Sequence, residues 1–212
     1  MSGVKIGYHR FPSGKQYAYM IDPDTNAKIF LRNILLLTRG TDAHTIAVVR
    51  EWGAKTRAAW EPPKGQMEWK EFCHNGIGAK RTLTPAQLTA YQRAGVLREL
   101  TEEAKILPTE ISHLRKLPII YRQQWEESGV RNAYFMYQFW TARTTDETML
   151  EAQKRMNFLT SDPDLKYLLP SDVTEKDAIA WWSPRTDMWE NIRGAFSKKM
   201  TALYFDALKK VH

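Results

Sequence analysis

Apolar residues gather along Lys28 to Thr38 (KIFLRNILLLT) until they run almost unbroken, which predicts a strand buried on both sides near its end. Arg39-Gly40-Thr41-Asp42 punctuates it, and Thr45 to Glu51, rich in β-branched residues, predicts a second strand. Gly53 to Ala59 reads as a polar loop. Thr84 followed by Pro85 is an N-cap with proline at the first helical position, so a helix is expected from there to about Ala104. Gly95 is the one weak point inside it, costing about 1 kcal/mol against alanine. At about 3.6 residues per turn, Ala90, Ala94, Leu97, Leu100 and Ala104 share an apolar stripe, with Glu99, Glu102 and Glu103 on the opposite side. Leu117 to Trp125 and Asn132 to Thr141 predict two strands of a hairpin joined through Glu126-Glu127-Ser128-Gly129. Asp146 to Leu159 reads as a helix. Thr160 to Asp177 is mixed, broken at Pro163 and Pro170. Ala178 to Trp182 is a short strand, and Ser197 to Val211 a closing amphipathic helix.

The 212 residues suffice for one sizeable core, and no repeat, low-complexity tract or linker divides them, so a single domain over 1–212 is expected. Hydrophobic residues at 43% and charged residues at 26% are ordinary for a globular chain. The single cysteine, Cys73, excludes an intrachain disulfide framework. The start has no signal-peptide apolar core, and no run of about 18 apolar residues exists to span a membrane. The expected setting is the cytoplasm or nucleus, with no membrane partner. A net charge of +7 favours polyanionic partners: nucleotides, inositol phosphates or RNA. The excess is spread over Arg115-Lys116, Lys198-Lys199 and Lys209-Lys210 rather than gathered in a tail.

The candidate chemistry lies in two stretches: Trp60-Glu61-Pro62-Pro63-Lys64-Gly65-Gln66-Met67-Glu68-Trp69-Lys70-Glu71 and Arg98-Glu99-Leu100-Thr101-Glu102-Glu103-Ala104-Lys105-Ile106. Glutamates at i, i+3 and i+4 repel one another, and a hard cation that takes oxygen ligands converts that repulsion into binding. Taken alone, the glutamates also fit the wet face of an amphipathic helix. The combined pattern resembles the Nudix box, with Gly65, Glu71, Arg98, Glu99, Leu100, Glu102, Glu103 and Ile106 filling its positions. The resemblance implies an α/β fold, a Nudix-type α/β/α sandwich with a mixed sheet. It implies hydrolysis of a nucleoside diphosphate linked to another group. It implies Mg²⁺, with Mn²⁺ as its substitute, held by Glu99, Glu102 and Glu103 and completed or oriented by Glu71 and Glu68. Arg98 either touches phosphate or pairs with a glutamate to hold loop and helix together, and the family favours the latter. Glu103 is the nearest choice of general base; Glu126, Glu127 and Glu175 stand further out, and His74 is the one histidine placed to matter.

Two departures stand out. Phe72 to Leu97 separate Glu71 from Arg98 where the family has seven residues, which places an insertion at about residues 72–90 beside the site. A second is expected at about 144–177. The family's helix-ending glycine is Lys105 here, so a left-handed turn at that position would carry a β-carbon.

Trp60 to Glu68 is also similar to the Trp-x-Pro-Pro-Lys-Gly-x-x-Glu segment of animal-type diadenosine tetraphosphate hydrolases, and related sequences occur in diphosphoinositol polyphosphate phosphohydrolases. That likeness implies a dinucleoside polyphosphate or a diphosphoinositol polyphosphate as the small phosphorylated substrate. Lys64 and Gly65 are then candidate phosphate contacts. Trp60, Tyr121 and Tyr134 are candidate stacking partners for a base, worth about 1–3 kcal/mol per base, although aromatics in strands are ordinary core residues. The basic chain and its added segments also fit mRNA decapping, with RNA as the partner. A Nudix-fold module that binds nucleotide or RNA without catalysis is the third reading. The sequence leaves the oligomeric state open.

Overall fold

The computed structural model describes residues 3–54, 59–73, 82–124, 130, 132–162, 164–183, 185 and 198–209. Its strands are β1 (Val4–Arg10), β2 (Gln16–Ile21), β3 (Lys28–Arg39), β4 (Asp42–Glu51), β5 (Trp60–Glu61), β6 (Lys64–Gln66), β7 (Thr82–Leu83), β8 (Ser112–Gln124), β9 (Ala133–Thr144) and β10 (Lys176–Trp182). The helices are α1 (Trp69–Cys73), α2 (Pro85–Glu102), α3 (Asp146–Thr160), α4 (Leu165–Leu168) and α5 (Lys198–Lys209). This is a mixed α/β fold with a large antiparallel sheet and helices, and every pair whose register is described is antiparallel. No helix among the described residues is long and apolar enough to cross a membrane.

The chain divides into two compact units. The first comprises Met1–Asn33, Gly65–Val96 and Ile119–Gln138; the second comprises Ile34–Lys64, Leu97–Pro118 and Phe139–His212. Each is assembled from three separated stretches, and β3, β6, β8, β9 and α2 carry residues of both.

In the first unit β1 pairs with β2 and with β7, and β2 with the start of β3. Ile6, Ala18, Met20, Ile29, Leu31, Met67, Phe72, Leu83, Tyr91 and Met136 form its core. Rings run through it from Tyr8 to Trp69 (4.9 Å), Phe72 (5.9 Å) and Tyr91 (4.6 Å). Phe72 is therefore a core residue rather than the start of a loop, because α1 turns it inward; of that insertion, 74–81 lies outside the described residues, and the stretch from Thr82 forms β7 and the start of α2. The strands β1 and β2 are not marked by the apolar pattern. Gly7 interrupts β1, and the cross-strand Tyr19 ring fills its place: a β-carbon at Gly7 would stand 2.7 Å from Tyr19 Cζ.

In the second unit β4 pairs with the end of β3, with β5 and with β10. Ile34 to Thr38 and Ile46 to Val49 are consecutively buried, as the run of apolar residues predicts for strands covered on both faces. Helix α3 packs on β10 through Met149, Ala152 and Met156, and Gln153 Oε1 accepts the Ile179 amide at 2.9 Å. Trp182 meets Phe205 of α5 at 6.0 Å.

Helix α2 begins as expected. Thr84 Oγ1 accepts the Gln87 amide at 3.2 Å while Gln87 Oε1 accepts the Thr84 amide at 2.9 Å, a reciprocal cap. Its inward face differs from the expected stripe. Ala90 and Ala94 are exposed, whereas Tyr91, Gln92, Val96, Glu99, Leu100 and Glu103 are buried. Large Tyr91, Val96 and Leu100 fix the rotation of the helix, and that rotation carries Glu99 and Glu103 inward with them. Glu99 and Glu103 are thus not a solvated face, while Glu102 stays partly exposed.

Candidate active site

In the second unit, Leu35 of β3 donates its amide to the Pro63 carbonyl at 2.9 Å, which sets the Pro62-Pro63-Lys64 segment against that strand. The Lys64 backbone amide then donates to Glu103 Oε2 at 2.7 Å. This bond joins the two halves of the sequence motif, loop and helix. The Lys64 ammonium donates to Glu61 Oε1 at 2.9 Å. Lys176, the first residue of β10, has a fully buried side chain, and its Nζ lies 3.0 Å from Glu61 Oε1, 3.2 Å from Glu103 Oε1 and 3.2 Å from Glu175 Oε1.

Two carboxylates and an ammonium removed from water persist only by pairing with one another. Burial pushes the Glu103 carboxyl up, and Lys176 and Lys64 offset this only in part. Burial also works to raise Glu61, but Lys64 and Lys176 outweigh it and hold that carboxyl below its ordinary range. For Lys176, burial acts to lower the ammonium, and Glu103, Glu61 and Glu175 together reverse this and raise it. Lys176 is therefore a fixed positive charge. Glu175, roughly half exposed, is its partner at the surface among the described residues.

The last turn of α2 carries the rest of the cluster. Arg98 ion-pairs with both Glu99 Oε1 and Glu102 Oε2. These partners sit on its own helix, so Arg98 ties two glutamates together. Beyond them Lys105 adopts φ 57°, and the Ile106 amide returns to the Leu100 carbonyl at 3.3 Å. This is a left-handed helix end, built with a lysine whose ammonium bonds the Glu102 carbonyl.

The first unit holds the other motif residues. Gly65 is the middle residue of β6, extended rather than turned. Glu68 is largely buried and pairs with Lys70 Nζ at 2.8 Å. Glu71 runs beside α2: a β-carbon at Gly95 would stand 3.3 Å from Glu71 Oε2 and 3.3 Å from Asn33 Nδ2. Gly95 thus leaves room for Glu71 against the helix. Of the candidate stacking residues, Tyr121 meets Tyr137 at 5.9 Å and Tyr134 is half-buried, both in the first unit. Trp60, in the second, lies under the Arg50 guanidinium at 5.4 Å. His74, Glu126 and Glu127 lie outside the described residues.

The carboxylate oxygens of Glu99, Glu102 and Glu103 suit a hard divalent ion in kind. Among the described residues, no three His, Cys, Asp or Glu side chains stand together as a formed metal site. The cationic groups of Arg98 and Lys176 lie against these carboxylates instead, so an ion must displace or rearrange them.

Glu61 and Lys176 escape a reading of the sequence. Glu61 occupies a variable position of the Trp60–Glu68 segment. Lys176 lies in Glu175-Lys176-Asp177, a polar triplet that looks like an exposed turn. In the fold β10 pairs with β4, setting Lys176 opposite Glu51, and Lys176 is buried.

No family model matches the chain, and no curated protein matches it. Among solved structures it is similar to the Bacillus subtilis pyrophosphohydrolase BsRppH, with TM-score 0.49 and 9% identity over 97% of each chain. It is similar to the NUDIX domain of Shewanella oneidensis NrtR complexed with ADP ribose, with TM-score 0.47 and 11% identity over 90% of this chain and 94% of that one. A NUDIX hydrolase from Nitrosomonas europaea aligns with TM-score 0.41 and 13% identity over 95% and 85%. Likeness of that degree carries no weight for the activity of this chain.

Proposed function

We propose that the protein is a Mg²⁺-dependent hydrolase of phosphoric anhydride bonds in nucleoside-diphosphate-linked substrates. The observation that supports it most is the 2.7 Å bond from the Lys64 amide to Glu103, which joins the Pro62-Pro63-Lys64 segment to the glutamate-bearing helix end. Glu99, Glu102 and Glu103 would hold the ion. When bound, Mg²⁺ neutralises the clustered charge of a pyrophosphate, polarises a phosphoryl oxygen and lowers the pKa of water. The chain's own groups do the rest. Arg98 holds Glu99 and Glu102 in register, and the Lys64 amide fixes Glu103. Glu103 takes the proton as a water oxygen bonds to phosphorus. The P–O–P bridge breaks with its electron pair on the leaving phosphate, giving two phosphorylated products.

For the substrate we propose a dinucleoside polyphosphate or a diphosphoinositol polyphosphate, on the resemblance of Trp60 to Glu68 to enzymes acting on them. Lys64 and Trp60, which lie in one unit, are its proposed contacts, and the cytoplasm its proposed setting. The test is a turnover screen with Mg²⁺ over diadenosine tetraphosphate, a diphosphoinositol phosphate, capped RNA and nucleoside triphosphates, with products resolved by mass. Cleavage of either of the first two supports the reading. Cleavage of capped RNA alone assigns decapping. Tight nucleotide binding without metal-dependent turnover makes the chain a binding module.

A further inference from the structure

The network that holds Glu103 already contains a cation of its own. Lys176 has three ammonium protons, and three carboxylates surround it at 3.0–3.2 Å: Glu61, Glu103 and Glu175. Of the two oxygens of Glu103, Oε2 accepts the Lys64 amide, and Oε1 faces Lys176. The oxygen of Glu103 turned away from the loop amide is thus the one that the ammonium holds. The side chain of Lys176 is entirely buried and that of Glu103 nearly so, and little water stands between them to weaken the attraction.

We propose that Lys176 is a built-in counter-cation that keeps Glu103 in place without metal and competes with the divalent ion for Glu103 Oε1. The proposal rests on the assignment of Glu103 as a metal ligand. The ion does not have to eject the lysine: an ammonium that releases Glu103 keeps Glu61 and Glu175, so its charge stays paired. Lys176 is in this sense a positioning residue. It sets the orientation of a ligand before metal arrives, and it weakens metal binding as the consequence. A site arranged this way favours an ion that arrives already attached to a polyanionic substrate, because the added negative charge helps to pull the ion against the lysine.

The test is direct titration of the full chain with Mn²⁺ and no substrate, by calorimetry or by the loss of the free-ion spin-resonance signal. Lys176→Met keeps the length of the side chain and removes the charge. Removing a unit charge within a few ångströms of the ion tightens Mn²⁺ binding by at least about tenfold, even at the high effective dielectric of real protein sites. The Lys176→Met/Glu103→Gln double variant abolishes that gain. A lysine with a merely structural role gives the opposite result: Lys176→Met binds Mn²⁺ equally or more weakly, and the proposal is overturned. If Lys176→Met is unfolded without metal, Mn²⁺ restores the parent circular-dichroism spectrum, and failure to restore it refutes the proposal. A parent protein that hydrolyses its substrate with Mg²⁺, beside a Lys176→Met variant with no tighter Mn²⁺ binding, removes this inference and leaves the proposed function standing. Absence of Mn²⁺ binding from both proteins removes both.

Discussion

Lys105 offers the sharpest test of local energetics, because a single torsion angle decides the outcome. Its φ of 57° places a β-carbon where L-residues are disfavoured, at a cost of about 1–2 kcal/mol. The helix end requires that conformation: the Ile106 amide closes on the Leu100 carbonyl at 3.3 Å, and Leu100 and Ile106 are both fully buried. Lys105→Gly removes the strain, but glycine loses more chain entropy on folding, about 0.5–1 kcal/mol. Lys105→Ala keeps the β-carbon and loses the ammonium contact to the Glu102 carbonyl with the attraction of Glu102, Glu103 and Glu175, as Lys105→Gly does. Both variants lose that contact, so their difference isolates the backbone. Lys105→Gly is expected to be more stable than Lys105→Ala by about 1 kcal/mol, or about 2–4 °C in melting temperature for a chain of this size. Parallel thermal melts by circular dichroism measure it. Equal melting temperatures, or a lower one for the glycine variant, refute the left-handed account of this turn.

Gly95→Ala normally stabilises a helix interior by about 1 kcal/mol; here the new β-carbon crowds Asn33 and Glu71, so thermal melts should show no gain, and a gain of the full helix amount contradicts that close packing. Glu110, whose carboxyl is held below its ordinary range by hydrogen bonds from Arg155 and by the Leu107 amide, contributes stability above the unfolded carboxylate range and loses it as pH falls through its own lower pKa. Denaturant melts of Glu110→Gln should therefore lie below the parent at neutral pH and converge with it in acid; a constant gap across pH contradicts the ion pair.

The parts of the fold that rest on unbroken apolar runs or on capping chemistry were legible: β3, β4, the start of α2 at Thr84-Pro85, the pairing of β8 with β9, and α3. The strands β1 and β2 were not, because Gly7 breaks the alternation and its place is filled by a ring from another strand. The rotation of α2 was missed for a related reason. Alanines score as apolar yet bury little area, and Tyr91 and Val96, which outweigh them, set the inward face. Spacing marked Glu99, Glu102 and Glu103 as candidates and the motif resemblance marked Arg98 and Lys105; of these the structure shows the left-handed φ of Lys105 and the pairing of Arg98 with Glu99 and Glu102. Nothing local marks Lys176 or Glu61, since their burial depends on strand pairing between distant stretches of chain.

The central claim is that Glu103, held by the Lys64 amide, serves metal-dependent hydrolysis of a phosphoric anhydride. Its most direct test is hydrolysis of diadenosine tetraphosphate with Mg²⁺, followed by phosphorus NMR, for the parent and for Glu103→Gln. The amide oxygen of the variant can still accept the Lys64 amide, so the fold should persist, checked by its circular dichroism. The account predicts turnover in the parent that chelation of metal abolishes, and a loss of about 10²-fold or more in the folded variant, the scale for removing a group that stabilises the transition state. A folded Glu103→Gln protein that cleaves at the parent rate contradicts it.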